Sequence, residues 1–146
     1  MIIAIEHLQL SELVAFLREQ ADEAFPDLKD EQRLNMLSEK WHKYAEFCTC
    51  RDDNGIIIGM IAFYANRAEE KVVYVPHVFV TSTYRRKGLF MHMMALVEHI
   101  GIMRGFHKIQ LEVAHDNSIA IKSYQKFGFV NHRETISSIL MEKRLL

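Results

Sequence analysis

The chain has 146 residues, of which 49% are hydrophobic and 25% are charged, and its formal net charge is −1 at pH 7. This length and composition predict one globular domain over residues 1–146, with a core that needs no disulfide or metal to fold. The balanced charge argues against a general nucleic-acid binder, and no apolar run reaches the length of a membrane span. We therefore expect neither nucleic acid nor membrane among its partners.

The N-terminus and the cysteines bear on where the protein resides. The first ten residues contain neither a basic segment nor a small-residue cleavage site, so they do not resemble a secretory signal. Cys48 and Cys50 are spaced to lie on the same face of a strand. Without a second pair of ligands, this spacing favours two reduced thiols over a disulfide framework or a metal site. The sequence therefore predicts a cytoplasmic protein without a bound metal.

Hydrophobic periodicity divides the N-terminal third into a strand and two helices. The strand covers residues 1–6, and the helices cover residues 8–24 and 29–44. Pro26 separates the two helices, because proline has no N–H to donate and has a fixed φ.

A β-hairpin follows the second helix. Residues 46–51 and 56–65 form its predicted strands, with Asn54-Gly55 in the turn between them. Asn-Gly is typical of a two-residue turn, because both residues accept positive φ. A further turn at residues 66–70 leads into the next strand.

The second half of the chain alternates strands and helices. We predict a strand at residues 71–81, a basic loop at 85–88 and a helix at 89–104. A strand at 107–114, a helix at 118–127 and two strands at 128–133 and 137–144 follow. The whole order is β-α-α-β-β-β-α-β-α-β-β, with one β-α-β unit near its end. This order predicts an α/β fold, in which helices flank a mixed central sheet on both faces.

The basic loop joins a strand directly to the start of a helix. Arg85, Arg86 and Lys87 bring three positive charges to a place where about four backbone N–H groups lack partners and the helix dipole is positive. Gly88 has no Cβ to block an approaching ligand, and no Ser, Thr, Asp or Asn precedes the helix as a cap. The pattern indicates a phosphate site, although a solvated basic turn is an equally good interpretation of the loop alone.

A resemblance decides between these two interpretations. Arg85-x-x-Gly88-x-Phe90 resembles the pyrophosphate loop of GNAT acetyltransferases, which has Gln or Arg, two residues, Gly, one residue, then Gly or Ala. Residues 111–129 resemble the second signature of that family: a strand that ends in polar residues, an Asn that opens a helix with Ala and Tyr, and a closing Phe-Gly-Phe. The hairpin and the N-terminal helices also fit the GNAT fold, so the resemblance covers the whole chain.

Phe90 departs from the family pattern, because its position usually holds Gly or Ala. A side chain of this size must either point away from the cofactor or crowd it.

The resemblance implies acetyl-CoA as co-substrate. Backbone N–H groups of residues 86–91 would hold the pyrophosphate, and the main chain of residues 78–80 would pair with the pantetheine arm like an added strand. The implied cofactor-binding residues are Val78, Phe79, Val80, Arg85, Arg86, Lys87, Gly88, Leu89, Phe90, Met91 and Asn117. Asn117 is equally suited to act only as the N-cap of the next helix.

The resemblance also implies that Tyr124 donates a proton to the departing CoA thiolate, whose free pKa is about 8.5. By spacing alone, Tyr124 is a packed helix residue. A base or a desolvating pocket must help, because keeping an alkylamine neutral at pH 7 costs roughly 4–5 kcal/mol. His77, Glu112 and a chain of water molecules are the three candidates for this task.

The function that we predict is direct transfer of acetyl to a small-molecule or peptide amine in a ternary complex. One alternative is a non-catalytic acyl-CoA-binding sensor or partner module, which Phe90 favours and Tyr124 disfavours. Another is an enzyme that acts on a macromolecule, at a protein N-terminus or a lysine. The resemblance is also compatible with a homodimer, in which two copies could pair through the final strand.

Acceptor choice is expected to depend on the N-terminal helices, on residues 46–65 and on the loop at 133–137. Acidic residues near the first helix could attract a cationic amine or form a solvated helix face: Asp22, Glu23, Asp27, Asp30 and Glu31.

Overall fold

The computed structural model describes residues 1–22, 25–66 and 69–146. Within them the strands are β1 (Ile2–Glu6), β2 (Glu46–Arg51), β3 (Ile57–Tyr64), β4 (Val72–Val80), β5 (Lys108–Ala114), β6 (Val130–Glu134) and β7 (Ser138–Arg144). The helices are α1 (Leu10–Gln20), α2 (Glu31–Tyr44), α3 (Leu89–Met103) and α4 (Ser118–Phe127), with short 3-10 turns at Pro26–Lys29 and Ser82–Tyr84. The predicted elements are therefore present in the predicted order.

The strands form one sheet in the order β1-β2-β3-β4-β5-β7-β6. Neighbouring strands are antiparallel except for β4 and β5, which are parallel. Alternate side chains along the strands belong to two hydrophobic cores, one on each face of the sheet. Phe47 and Met60 pack against α1 and α2, while Cys48 and Ile61 pack against α3 and α4. The predicted mixed sheet with helices on both faces is confirmed.

The start of α2 and the end of α1 differ from the predicted boundaries. Asp30 is the N-cap of α2, and its side chain accepts a hydrogen bond from Gln32 N at 2.9 Å. The helix therefore begins at Glu31, while Lys29 belongs to the preceding 3-10 turn. α1 ends at Gln20, and residues 23 and 24 of the helix predicted over 8–24 lie outside the described residues. The same holds for residues 67 and 68 of the turn predicted at 66–70.

The β2–β3 turn differs from the predicted two-residue type. Gly55 has positive φ (81°), but Asn54 does not. The Asp52 side chain accepts hydrogen bonds from the N–H groups of Asn54 and Ile56, at 2.9 and 3.0 Å. An aspartate that holds two turn N–H groups stabilises a longer loop with a single left-handed residue.

The final strand is not available for pairing between two copies. β7 lies between β5 and β6 and is paired on both sides, so the prediction of a dimer contact through the final strand is wrong. The free edges of the sheet belong to β1 and β6. Among the described residues, no helix is long and apolar enough to cross a membrane.

Candidate active site

β4 and β5 separate halfway along their length. They pair only where Val72–Val75 run beside Lys108–Leu111. Beyond this segment β4 follows β3 to Val80, and β5 follows β7 to Ala114. The β3–β4 register shifts by one extra β4 residue between Tyr74 and His77, which is a β-bulge around Pro76. Pro76 has no N–H to donate, so it favours an end to pairing at this place.

The separation opens a cleft of about 1140 Å³ that is lined from both faces of the sheet. Of the cofactor and catalytic residues that the sequence predicts, all except Lys87 line it: His77, Val78, Phe79, Val80, Arg85, Arg86, Gly88, Leu89, Phe90, Met91, Asn117 and Tyr124. Lys87 does not line the cleft, and its ammonium lies 5.5 Å from the ring centre of Tyr84, a residue that does line it.

One edge of β4 faces the cleft with its backbone groups. Thr81 N–H donates to Ile58 O at 2.8 Å, which fixes the alternation of the β3–β4 ladder. The N–H and C=O groups of Val78 and Val80 therefore point away from β3, into the opening. The Arg85 Nε–H donates to Val80 O at 2.9 Å, so the other groups of this edge remain directed at the cleft.

The loop before α3 has the backbone geometry of an anion site. Arg86 and Gly88 both have positive φ, at 64° and 78°. Gly88 is the N-cap of α3 and provides no side-chain cap, and a Cβ at this position would meet no atom within 4 Å. The first helical hydrogen bond is His92 N to Gly88 O, so the N–H groups of residues 89–91 are the unpaired ones of the first turn. The predicted uncapped helix start is present.

Tyr124 lies on the buried face of α4, with 9% of its surface exposed. Its ring centre is 5.4 Å from that of Phe90 and 6.0 Å from that of Phe129. This burial raises the pKa of the Tyr124 hydroxyl to about 12. Phe90 also packs against Phe127, so its side chain points from α3 towards α4 and narrows the cleft beside the tyrosine.

Asn117 is the N-cap of α4 and accepts a hydrogen bond from Ala120 N at 3.2 Å. It also lines the cleft. Capping is therefore confirmed, and contact with a cofactor stays a prediction.

His77 lies in an aromatic environment on the other face of the sheet. Its ring centre is 4.8 Å from that of Phe25, 5.8 Å from Trp41 and 6.3 Å from Phe16. The Nε2 atom is buried without a hydrogen-bond partner among the described residues. Burial lowers the pKa of His77 to about 4, so the ring is neutral at pH 7.

Glu112, the other candidate base, is exposed on β5 at the opposite wall of the cleft. Its carboxylate accepts a hydrogen bond from Ser138 Oγ at 3.2 Å. His77 and Glu112 therefore face the same cleft from two different strands.

The acidic residues near α1 form ion pairs at the surface. Asp22 pairs with Lys29, and Glu31 pairs with Arg18. Asp27 and Asp30 both approach the Arg33 guanidinium. None of these four acids lines the cleft, which favours the solvated helix face, while Glu23 lies outside the described residues.

Sequence reasoning missed several residues that line the cleft. Ala120 lies one helical turn before Tyr124 on α4, and Ser123 lies one turn after Ala120, so the helical spacing was a usable signal. Gln20 and Phe25 reach the cleft only because the end of α1 packs beside β4, and no local pattern predicts such a contact. The parts of the chain that the structure describes contain no group of three His, Cys, Asp or Glu residues that could hold a metal ion.

Comparison with known proteins identifies the family. The family model described as "Acetyltransferase (GNAT) family" matches residues 10–129, and the chain belongs to this family. In the comparison with curated proteins, nothing matches.

Solved structures agree in fold. The PaiA N-acetyltransferase of Thermoplasma acidophilum in complex with coenzyme A has a TM-score of 0.74 at 19% identity, with 99% of each chain covered. Ard1 of Thermoplasma volcanium has a TM-score of 0.75 at 18% identity, covering 100% of this chain and 99% of its own. Nourseothricin acetyltransferase has a TM-score of 0.62 at 19% identity. The match covers 70% of this chain and 66% of that protein's chain. Family and fold together support an acyl-transfer function.

Proposed function

We propose that the chain is an acetyl-CoA-dependent N-acetyltransferase that moves the acetyl group directly to an amine in a ternary complex. One observation carries this proposal: the gap between β4 and β5 brings an uncapped helix start, a free strand edge and a buried tyrosine hydroxyl to the same cleft. Acetyl-CoA would supply the acetyl thioester.

The residues at the cleft fit the parts of this co-substrate. The N–H groups of residues 89–91, which have no partner among the described residues, suit a pyrophosphate, and Arg86 lines the same cleft. The open space at Gly88 leaves room for phosphate oxygens close to the backbone. The N–H and C=O groups of Val78 suit the amides of an extended pantetheine arm.

Tyr124 would stabilise the departing thiolate as a hydrogen-bond donor. Its pKa of about 12 keeps the hydroxyl protonated at any physiological pH. Since a free thiol has a pKa of about 8.5, complete proton transfer from Tyr124 would be uphill by roughly three units. Donation of a hydrogen bond to the charge that develops on sulfur is therefore the role that its pKa supports.

His77 and Glu112 would border the amine from opposite walls of the cleft. The Nε2 atom of His77 is buried without a hydrogen-bond partner among the described residues, so the ring would contribute a neutral surface there. With a pKa of about 4 it is too weak a base to hold the proton at pH 7. We assign the proton's exit to water at the exposed Glu112 carboxylate.

The first test compares binding of acetyl-CoA, CoA and ATP by isothermal titration, then follows thiol release with a set of amines. We expect micromolar binding of acetyl-CoA and much weaker binding of ATP. Tyr124→Phe should lower kcat by about 100-fold and leave the acetyl-CoA affinity unchanged. Tyr44→Phe is the matched control, because Tyr44 is half-exposed and does not line the cleft. Absence of acetyl-CoA binding, or equal binding of ATP, would overturn the proposal.

A non-catalytic acyl-CoA-binding module is the second candidate. The observation that favours it is the Phe90 ring, which narrows the cleft beside Tyr124. This function predicts tight acetyl-CoA binding with no thiol release for any amine, and no effect of Tyr124→Phe.

Location and assembly form a subsidiary part of the proposal. Cys48 and Cys50 are buried free thiols, which suit a reducing compartment, so we propose the cytoplasm. If two copies pair through the sheet, β1 and β6 offer the free edges, since β7 is covered on both sides. Light scattering on the purified protein would establish whether a dimer forms.

A further inference from the structure

The cleft has a distinct wall on the sheet face that α1 and α2 cover. Gln20, Phe25, His77 and Phe79 form this wall, which we call the aromatic wall. The Phe25 ring is 4.8 Å from the His77 ring, and Phe79 packs against the buried Phe16 at 5.3 Å. Phe25 and Phe79 are themselves half-buried, so both rings present surface to the cleft.

The polar groups of the aromatic wall are neutral. They are the Gln20 amide and the His77 ring, each with 9% of its surface exposed. Among the described residues that line the cleft, the one carboxylate is Glu112, which is exposed on the opposite strand and already hydrogen-bonded by Ser138. A multiply charged acceptor would therefore lose hydration at this wall and find no buried counter-charge among the described residues.

The His77 ring is the titratable group of the wall. Its Nε2 atom is buried and has no hydrogen-bond partner among the described residues, so it offers the cleft no directional polar contact. Because the ring is neutral at pH 7, it carries no charge that would attract a carboxylate or hold an ammonium ion.

We propose that the acceptor is a weakly basic primary amine on an apolar body, of the kind found at the α-amino group of a hydrophobic amino-acid amide or peptide. The apolar body packs on Phe25 and Phe79, and the amine lies beside the neutral His77 ring. This inference rests on the proposed acetyltransferase function and adds the class of its acceptor.

The ionisation of the amine explains why weak basicity matters here. An α-amino group with a pKa of about 7.8 is neutral in about one molecule in seven at pH 7. An alkylamine with a pKa of about 10.4 is neutral in only about one in 2,500. A wall whose described residues supply neither a strong base nor a counter-charge therefore favours the amine that is already neutral when it binds.

The test uses two acceptors of the same shape and different basicity. Phenylalaninamide and phenethylamine share the phenylethyl body, and the carboxamide of the first lowers the basicity of its amine. With the full-length protein and acetyl-CoA, we expect kcat/KM for thiol release at pH 7 to favour phenylalaninamide by at least about tenfold. The preference should shrink by roughly tenfold at pH 9. Between pH 7 and pH 9 the neutral fraction rises far more for phenethylamine than for phenylalaninamide, because phenethylamine is the stronger base. A phenylalanyl tripeptide in a parallel arm distinguishes a peptide acceptor from a free amine.

A variant links this preference to the aromatic wall. Phe25→Ala should lower kcat/KM for phenylalaninamide about ten times more than for glycinamide, which has no apolar body. Tyr44→Ala, at an exposed aromatic residue away from the cleft, is the control for loss of a ring. Thermal melting of each variant identifies any loss of folding.

The outcomes separate the two proposals. Preference at pH 7 for spermidine or phenethylamine over phenylalaninamide would overturn the acceptor class and leave the acetyltransferase function intact. Equal effects of Phe25→Ala on both amides would also overturn it, as would acetyl-CoA binding with no release from any of these amines. Failure to bind acetyl-CoA at all would instead remove the proposed function.

Discussion

The Phe90 ring on α3 lies 5.4 Å from the Tyr124 ring on α4, measured between ring centres. This contact joins the start of the helix that follows the basic loop to the helix that carries the candidate proton donor. The position of Phe90 resembles one that holds Gly or Ala in GNAT proteins, so a smaller residue there would leave the Tyr124 ring open on this side. Together with Phe129, Phe90 leaves 9% of Tyr124 exposed.

Phe90→Ala should bring the pKa of Tyr124 down from about 12 towards the ordinary value near 10, because water then reaches the ring. Loss of a half-buried phenylalanine should also lower the free energy of unfolding by about 2 kcal/mol. Ultraviolet titration of tyrosinate, with Tyr124→Phe in each background to isolate this residue, measures the pKa. Phe127→Ala is the control, because its ring contacts Phe90 and Phe129 but makes no ring contact with Tyr124 in the described residues. If the pKa of Tyr124 is unchanged in Phe90→Ala, Phe90 does not exclude water from the tyrosine.

His77 should make folding stability depend on pH above the range where carboxylates titrate. Its pKa is about 4 in the folded chain and about 6.5 when unfolded, so between these values the unfolded state binds more protons. The stability is complete above pH 6.5 and is lost as pH falls towards 4, by about 3 kcal/mol in total. The free energy of unfolding in urea, measured from pH 7 to pH 5, should therefore fall steadily.

His77→Phe tests the source of this slope. The substitution keeps an aromatic ring among Phe25, Trp41 and Phe16 and removes the titrating group. Its stability should be nearly independent of pH between 5 and 7. Parallel curves for the two proteins would mean that another group causes the slope.

The elements were predictable because each carries its own local pattern. β2 and α4 have the bounds that alternation and the Phe-Gly-Phe ending predict. The type of the hairpin turn was not predictable, because the Asp52 side chain competes with the preference of Asn54 for positive φ. The place of β7 was also missed, since strand order depends on which strand covers β5 and not on position in the chain.

The candidate site also has parts that could be predicted from local sequence and parts that could not. The helix start at Gly88 could be predicted, because loop, glycine and helix are consecutive in sequence. The opening that makes it a cleft depends on a bulge at Pro76, and the aromatic wall depends on the packing of Phe25 beside His77. Both follow from tertiary contacts that leave no periodic signal.

Loss of Arg51 should be costly to the fold. Its guanidinium donates to the carboxylates of Glu6 on β1 and Glu12 on α1, each with a contact of 2.9 Å. About a quarter of each of the Arg51 and Glu6 side chains is exposed, and the pair holds the pKa of Glu6 below its usual range. Arg51→Gln should lower the free energy of unfolding by about 2 kcal/mol, because Glu6 stays partly buried without its partner. Urea unfolding at pH 7 measures this change.

Arg18→Gln provides the matched control for Arg51. Arg18 also donates to a carboxylate, from one guanidinium nitrogen to both oxygens of Glu31, but both side chains are more than half exposed. Its loss should cost less than about 0.5 kcal/mol, because solvent screens an exposed pair. Equal losses for the two arginines would mean that burial does not decide the strength of the Arg51 contacts.

Arg86 and Lys87 are adjacent cations that the structure places differently. Arg86 lines the cleft, whereas Lys87 does not and has its ammonium over the ring of Tyr84. Arg86→Gln should weaken acetyl-CoA binding by about tenfold, the usual effect of losing one charge-assisted contact to phosphate. Lys87→Gln should weaken it by less than about threefold, because a cation outside the cleft acts only through screened solvent. Isothermal titration at low and at high salt measures both effects.

Arg86→Gly separates the charge of this residue from its backbone strain. Arg86 has a φ of 64°, a conformation that costs a non-glycine residue about 1 kcal/mol. Glycine and glutamine both remove the charge, so both variants should lose the same affinity, but only glycine relieves the strain. Arg86→Gly should therefore unfold at a higher urea concentration than Arg86→Gln. If the two variants differ in affinity instead, the strained loop itself, and not the guanidinium, sets how tightly phosphate binds.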